Sequence, residues 1–302
     1  MKNPEDSPEQ LSPIAIAALE LAHRGWRMVP VSALDNRPLI EGGTSAGSSD
    51  SSEILAWGRR WPQANFAIAC GPEAGLLVLT IQTRNKADGF AHLRYLQEEF
   101  GPLPMTAAVV SPSGVRHLLF AHPDDALQLK LGSLKVPESE GRFSEYLGMS
   151  VRGAGSGVFL PPSSGPDGSY AWVESIYKTA PALVPAWFLG VILATQRDRA
   201  ANLPELRFGL MTPPETAAIL ERECRALASM DDRCGHKADL AKLSQSFGQV
   251  MANGAMDQDT AERALILTAA YGGLINSAGL REVVQEIYSG MRAGFRNPRL
   301  IR

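Results

Sequence analysis

An apolar strand ends in a polar pair at Gly75-Leu76-Leu77-Val78-Leu79-Thr80-Ile81-Gln82. Strand alternation sends Leu77, Leu79 and Ile81 to one face and Val78, Thr80 and Gln82 to the other. Thr80 and Gln82 therefore stand side by side where a core strand runs out. Two carboxylates at these positions would make a cation site, because hard Mg²⁺ or Mn²⁺ selects clustered oxygen anions. A hydroxyl and an amide supply neutral oxygens and no compensating charge. Whether the chain is an enzyme turns on that difference.

Other chemistry-bearing patterns are few. Cys224-x9-Cys234 with His236 matches no structural zinc spacing, and a fourth ligand is not evident. These residues contain no Gly-x4-Gly-Lys-Ser/Thr, nucleophile elbow, His-Glu-x2-His or dinucleotide fingerprint. Arg281, Arg292, Arg296, Arg299 and Arg302 make the last helix and tail locally basic. Solvation explains such a run; in a nucleic-acid protein Arg292, Arg296 and Arg299 would instead contact nucleic acid or a partner.

The 302 residues are 45% hydrophobic and 20% charged, ordinary soluble composition with material for two cores. A net charge of −3 and a pI of 6.0 exclude a globally basic nucleic-acid footprint, so any such binding relies on local patches. Cys70, Cys224 and Cys234 form no CxxC, and a reduced, cytoplasmic protein is expected. The apolar stretch from Pro13 to Leu21 is too short to span a bilayer and follows Glu5-Asp6, so it reads as a first helix. No membrane partner is implied.

The elements that must carry the polar pair can be read along the chain. Ser12-Pro13 caps and opens a helix to about His23, and Trp26 to Val31 is a short strand. Asp50 and Glu53 make a capping box for a helix through Trp57 and Trp61. Asn65 to Gly71 is a strand, and Asp88 caps an amphipathic helix with Phe90, Leu93, Leu96 and Phe100 inward. Thr106 to Val110 and Val115 to Phe120 form a hairpin around Ser111-Pro112-Ser113-Gly114. Strands near 145–151 and 157–160 follow, then a turn at 163–168.

After Val184 the strand signal stops. Residues 185–211 read as a helical connector, and Thr212-Pro213-Pro214-Glu215 as a strong helix start with Thr212 as N-cap. Helices are predicted over 214–229, 238–252, 257–271 and 277–293. The expected fold is α+β: a mixed, mostly antiparallel sheet domain with helices over 1–184, then an all-α helical bundle over 212–302.

Laid in order, the segments resemble the bifunctional DNA primase/polymerase N-terminal domain family of the archaeo-eukaryotic primase superfamily. The resemblance is carried by Ala18-Leu19-Glu20-Leu21-Ala22, Arg24-Gly25-Trp26, Arg37-Pro38-Leu39, Trp57, Arg60-Trp61-Pro62-Gln63-Ala64-Asn65 and Gly71-Pro72. It continues through Gly75 to Leu79, Gly101-Pro102-Leu103-Pro104, Ser111 to Gly114, Arg116 to Phe120, Val151-Arg152-Gly153 and Leu160-Pro161-Pro162-Ser163. It covers about residues 14 to 175. The helical half, ending in Ser289-Gly290-Met291-Arg292-Ala293-Gly294, is similar to the bundle that often follows such domains.

The resemblance implies a nucleotidyltransferase site with Asp-x-Asp on the strand, a His after the hairpin turn and an Asp before Val-Arg-Gly. Those positions hold Thr80, Gln82, His117 and Ser150, so the histidine stands and the carboxylates are replaced. Val115 also replaces the second glycine of the hairpin turn. Glu145, Asp88 and Glu73 are poor substitutes, since Glu145 sits at an odd offset from Ser150 and the others flank in loops. The resemblance implies that His117 lies near the incoming nucleotide's phosphates. Arg37 and Arg152 suit phosphate by their chemistry and with His117 would form a basic rim around a cleft without acids. Ser113 and Arg116 are further phosphate-binding candidates, Arg116 alternating to the other strand face.

The expectation is a catalytically inactive primase/polymerase-like protein of mobile-element replication (plasmid or phage), binding nucleic acid or nucleotide, or accompanying an active replication protein such as a helicase. No cofactor is expected. Two alternatives stay open: an active primase/polymerase holding Mg²⁺ or Mn²⁺ with unusual ligands, and a protein-binding regulator or scaffold.

Overall fold

The computed structural model describes residues 11–84, 87–123, 129, 132–134, 148–165, 167–195, 203–230 and 236–298. By its internal contacts the chain divides into two units. One takes the described residues of 1–94, 104–132 and 148–183, the other those of 95–103, 133–147 and 184–302. The architecture is α+β, antiparallel sheets first and helices after.

The first unit opens with α1 (Pro13–His23), where the Ser12 hydroxyl accepts from the Ala15 N–H and Pro13 occupies the first turn. β1 (Met28–Val31) follows, then α2 (Ser51–Arg60). The Asp50 carboxylate caps α2 by accepting from the Ser52 N–H at 2.7 Å, one residue short of the Glu53 box the sequence suggests. β2 (Asn65–Ala69) and β3 (Leu76–Ile81) come next, then α3 (Gly89–Phe100), whose residues from Tyr95 on belong to the second unit. Asp88 caps α3 through the Phe90 and Ala91 N–H groups at 3.0 and 3.2 Å. β4 (Ala108–Val110) and β5 (Arg116–Ala121) form the hairpin, followed by β6 (Met149–Arg152), β7 (Gly157–Phe159), β8 (Ala171–Glu174) and β9 (Ala182–Leu183).

β3 is central to the larger sheet, antiparallel to β5 on one side and β6 on the other. β4 extends the β5 side, β8 lies beyond β4, and β9 runs parallel to the end of β5. In a smaller sheet β2 lies between β1 and β7, antiparallel to both. Between the sheets Val78, Val109 and Leu119 meet Phe66, Ile68 and Val158, closed by Ala15, Ala18 and Leu21 of α1 and Ile54 of α2. Leu77, Leu79 and Ile81 are buried as well, so β3 is apolar on both faces before Thr80. Each such side chain contributes about 1.5–3 kcal/mol of burial, which fixes the register of the residues that follow.

The second unit holds α4 (Ala186–Thr195), α5 (Pro214–Ala228), α6 (Lys237–Ala252), α7 (Gln258–Tyr271), α8 (Leu274–Ala278) and α9 (Leu280–Arg296). The segment read as a connector contains α4, whose residues Ala186 to Ala194 are all buried. Its uncharged run, apolar all round, suits a bundle centre rather than a linker. Residues 196–202 of that segment lie outside the described residues.

Two local readings change. Pro213, not Thr212, is the N-cap of α5, and the buried Thr212 hydroxyl instead lies 2.6 Å from the Phe208 carbonyl and 2.7 Å from that of Ala255. The helix expected from 277 is two helices, because Gly279 takes φ 88° and separates α8 from α9.

Candidate functional site

On the Val78 face of the large sheet, core gives way to polar residues on neighbouring strands together. Val78 is followed two residues on by Thr80 and Val109 by Ser111, while Leu119 is preceded by His117. Register places Thr80 directly opposite His117 on β5 and Ser150 on β6. Thr80, His117 and Ser150 thus share one face on three adjacent strands, with Gln82 at the strand end.

They open onto a cleft of about 400 Å³. Its floor and walls include Thr80, Gln82, Ser113, Val115, His117, Ser150 and Arg152 from the large sheet and its turn. The lining also includes Asn65, Phe159, Ser164 and Tyr170. Asn65, buried at the start of β2, donates to the Ser164 carbonyl at 2.7 Å and accepts from its N–H at 3.2 Å. That pair ties Ser164 to the small sheet.

Thr80 is the hub. Arg152 Nε donates to Thr80 Oγ1 at 3.2 Å, and another N–H of the same guanidinium donates to the Gly157 carbonyl at 3.2 Å. Thr80 Oγ1 also lies 3.0 Å from His117 Nδ1. The hydroxyl has one proton and a second lone pair, so toward Nδ1 it donates or accepts according to the tautomer of neutral His117. Burial, and then the Arg152 charge, push the imidazole down to about 4. His117 is neutral near pH 7.

The backbone holds Gln82 in place. Its N–H donates to the Gly148 carbonyl and its carbonyl accepts from the Gly89 N–H, both at 3.0 Å. Gly148 has φ 69°, and a Cβ there would lie 2.6 Å from the Gln82 carbonyl oxygen. Only glycine permits this approach. At the opposite rim the Ser111 hydroxyl accepts from the Val115 N–H at 3.1 Å and lies 2.9 Å from Ser113 Oγ, closing the hairpin turn.

Several expected site residues stand elsewhere. Arg37 is exposed and faces Asp35, 3.4 Å away, outside the cleft lining. Arg116 alternates to the other face of β5, its guanidinium 5.4 Å from the Phe90 ring centre. Arg292 and Arg296 are exposed on α9, Arg292 bonding its own helix at the Tyr288 carbonyl; Arg299 and Arg302 lie outside the described residues. The cleft is also not free of acids, since Asp167 lines its rim. Asp88 is taken by its cap and Glu73 pairs with Arg27 at 2.6 Å, while Glu145 and Cys234 lie outside the described residues. Burial pushes the Cys224 thiol up to about 12, so it is no ready thiolate ligand.

Asn65, Phe159, Asp167 and Tyr170 were not singled out from sequence as site residues. Period-two spacing from the core-packed Trp172 was the available signal for Tyr170.

The donor set does not suit a hard divalent cation. Thr80, Gln82 and Ser150 present neutral oxygens, and Mg²⁺ gives up its waters reluctantly without anionic ligands. The guanidinium at Thr80 adds a positive charge to the same spot. Among the described residues no helix is long and apolar enough to cross a membrane. A family model described as bifunctional DNA primase/polymerase, N-terminal, matches residues 18–187. No curated protein matches the chain.

Proposed function

The chain belongs to the bifunctional DNA primase/polymerase N-terminal family, and from that premise we propose that it serves replication without transferring nucleotides. One observation carries the reading: Thr80, Gln82 and Ser150 gather at the cleft as neutral groups, with Arg152 bonded to Thr80. Nucleotidyl transfer needs cations to neutralise the triphosphate and activate the attacking oxygen. With no anionic set to hold them, the cleft retains binding and loses chemistry.

The protein then acts by holding nucleic acid or nucleotide in that cleft, independently of metal, in a mobile-element replication system. Exposed Arg292 and Arg296 supply a second contact, to nucleic acid or to an active replication partner such as a helicase. Primer synthesis on a single-stranded template, with deoxy- and ribonucleotides and either Mg²⁺ or Mn²⁺, yields no product above a protein-free control. Product in either metal would overturn the inactive reading. Asp167 is the observation that favours the active alternative, and its loss in Asp167→Asn would then abolish that product.

A further inference from the structure

Resting on the metal-independent binding just proposed, we propose that the cleft takes a phosphodiester unit of a single strand in preference to a free nucleoside triphosphate. One phosphate would sit against Arg152 and the adjoining base against Phe159 and Tyr170.

Charge argues for the phosphate assignment. Arg152 is the cation among the described residues that line the cleft, and Asp167 on the rim is an anion. His117 adds no charge near pH 7. A phosphodiester carries one negative charge, which one guanidinium can match. A triphosphate brings several, normally offset by bound cations, and here it would meet one arginine and a carboxylate. Two N–H groups of Arg152 are engaged by Thr80 and Gly157. The rest of its planar fork is unbonded among the described residues, and the neutral His117 ring lines the same cleft.

Shape argues for the base assignment. The ring centres of Phe159 and Tyr170 lie 5.5 Å apart at an interplanar angle of 46°, and both line the same cleft as Arg152. Aromatic side chains beside a cationic groove are the means by which single strands are held without sequence readout. A duplex keeps its bases stacked and cannot offer one to these rings. The cleft falls within the size of small-ligand sites, with room for about one nucleotide unit.

The test is fluorescence anisotropy of a labelled short oligothymidylate against the full chain in EDTA, with unlabelled strand, dTMP and dTTP as competitors. The strand is expected to bind, and dTTP to compete about tenfold less well than unlabelled strand. Weak competition by dTMP marks a strand ligand, and competition equal to the strand would reassign the cleft to a mononucleotide and overturn the proposal. Arg152→Gln is expected to weaken binding about tenfold or more. Ser150→Asp, which adds an anion beside Thr80 while leaving Arg152 in place, does the same and carries the test should Arg152→Gln fail to fold. Unchanged affinity in both variants, or dTTP competing as well as the strand, would refute the ligand assignment while the binding reading stands. Absence of any binding in EDTA would remove both.

Discussion

At the scale of single residues the site is organised by one hydroxyl. Thr80 accepts from Arg152 and shares a hydrogen bond with His117 Nδ1, so a strand position suited to a metal ligand instead pins two side chains. The imidazole follows from this. In the unfolded chain it protonates near 6.5, in the folded protein only near 4. Between those values the unfolded state binds more protons, so His117 contributes stability in full above about pH 6.5 and loses it as the pH falls toward 4. The amount is at most roughly 3 kcal/mol. A proton NMR titration of the imidazole should show no midpoint between pH 8 and 5; a midpoint near 6.5 would mean the ring is neither desolvated nor held by Thr80. Thr80→Asp places an anion against the ring and should raise that midpoint, since an adjacent carboxylate favours imidazolium. Adding Gln82→Asp and Ser150→Asp completes an acidic cluster on adjacent strands. Calorimetric Mn²⁺ titration should show tighter binding to the triple variant than to the unsubstituted chain, and equal titrations would show that these strand positions do not make a cation site.

At the scale of elements, close backbone approach sets both units. In the sheet unit Gly148 and Gly89 allow the chain to bracket Gln82. In the helical unit α6 and α9 cross through Gly248, Gly290 and Gly294. A Cβ at Gly294 would lie 2.0 Å from the Gln245 carbonyl oxygen, and one at Gly248 2.1 Å from that of Met291. Gly294→Ala and Gly248→Ala must therefore push the α6 and α9 backbones apart, at a cost of about 1–3 kcal/mol or more. Ser289→Ala on the exposed side of α9 should stay within about 0.5 kcal/mol. Thermal unfolding of the three variants decides this, and equal midpoints for Gly294→Ala and Ser289→Ala would contradict the crossing. This seam shows where reading a sequence stops. Periodicity of 3.6 located α5, α6 and α7 to within a residue or two, because each needs only its own apolar face. Gly290-x3-Gly294 looked like part of a helix end, since its role depends on which helix arrives opposite. Thr212 misled for the same reason: a hydroxyl before Pro-Pro-Glu is cap chemistry locally, but the Phe208 and Ala255 carbonyls claim it.

At the scale of the whole molecule, charge constrains how nucleic acid is met. The neutral positions were legible because alternation along β3 needs no partner strand. Their alignment with Arg152, and the Phe159 and Tyr170 wall, depended on a second sheet that periodicity does not place. What results is a chain of net charge −3 whose cleft offers one lining arginine among the described residues. Proteins that bind through broad basic faces neutralise many phosphates and lose affinity steeply with salt. Here the cleft should engage about one phosphate, and the α9 arginines one or two more. For a single strand each phosphate contributes a slope of about −0.7 in log affinity against log salt. The full chain should therefore show a slope between about −1.4 and −2.1 in EDTA. Arg152→Gln should make it shallower by about 0.7, and the Arg292→Ala, Arg296→Ala pair by up to about 1.4. A slope steeper than about −4 would place binding on a basic surface other than this cleft, and a slope near zero would leave no phosphate contact at all. The α9 pair alone setting the slope, with Arg152→Gln silent, would move the nucleic-acid site from the sheet unit to the helical one.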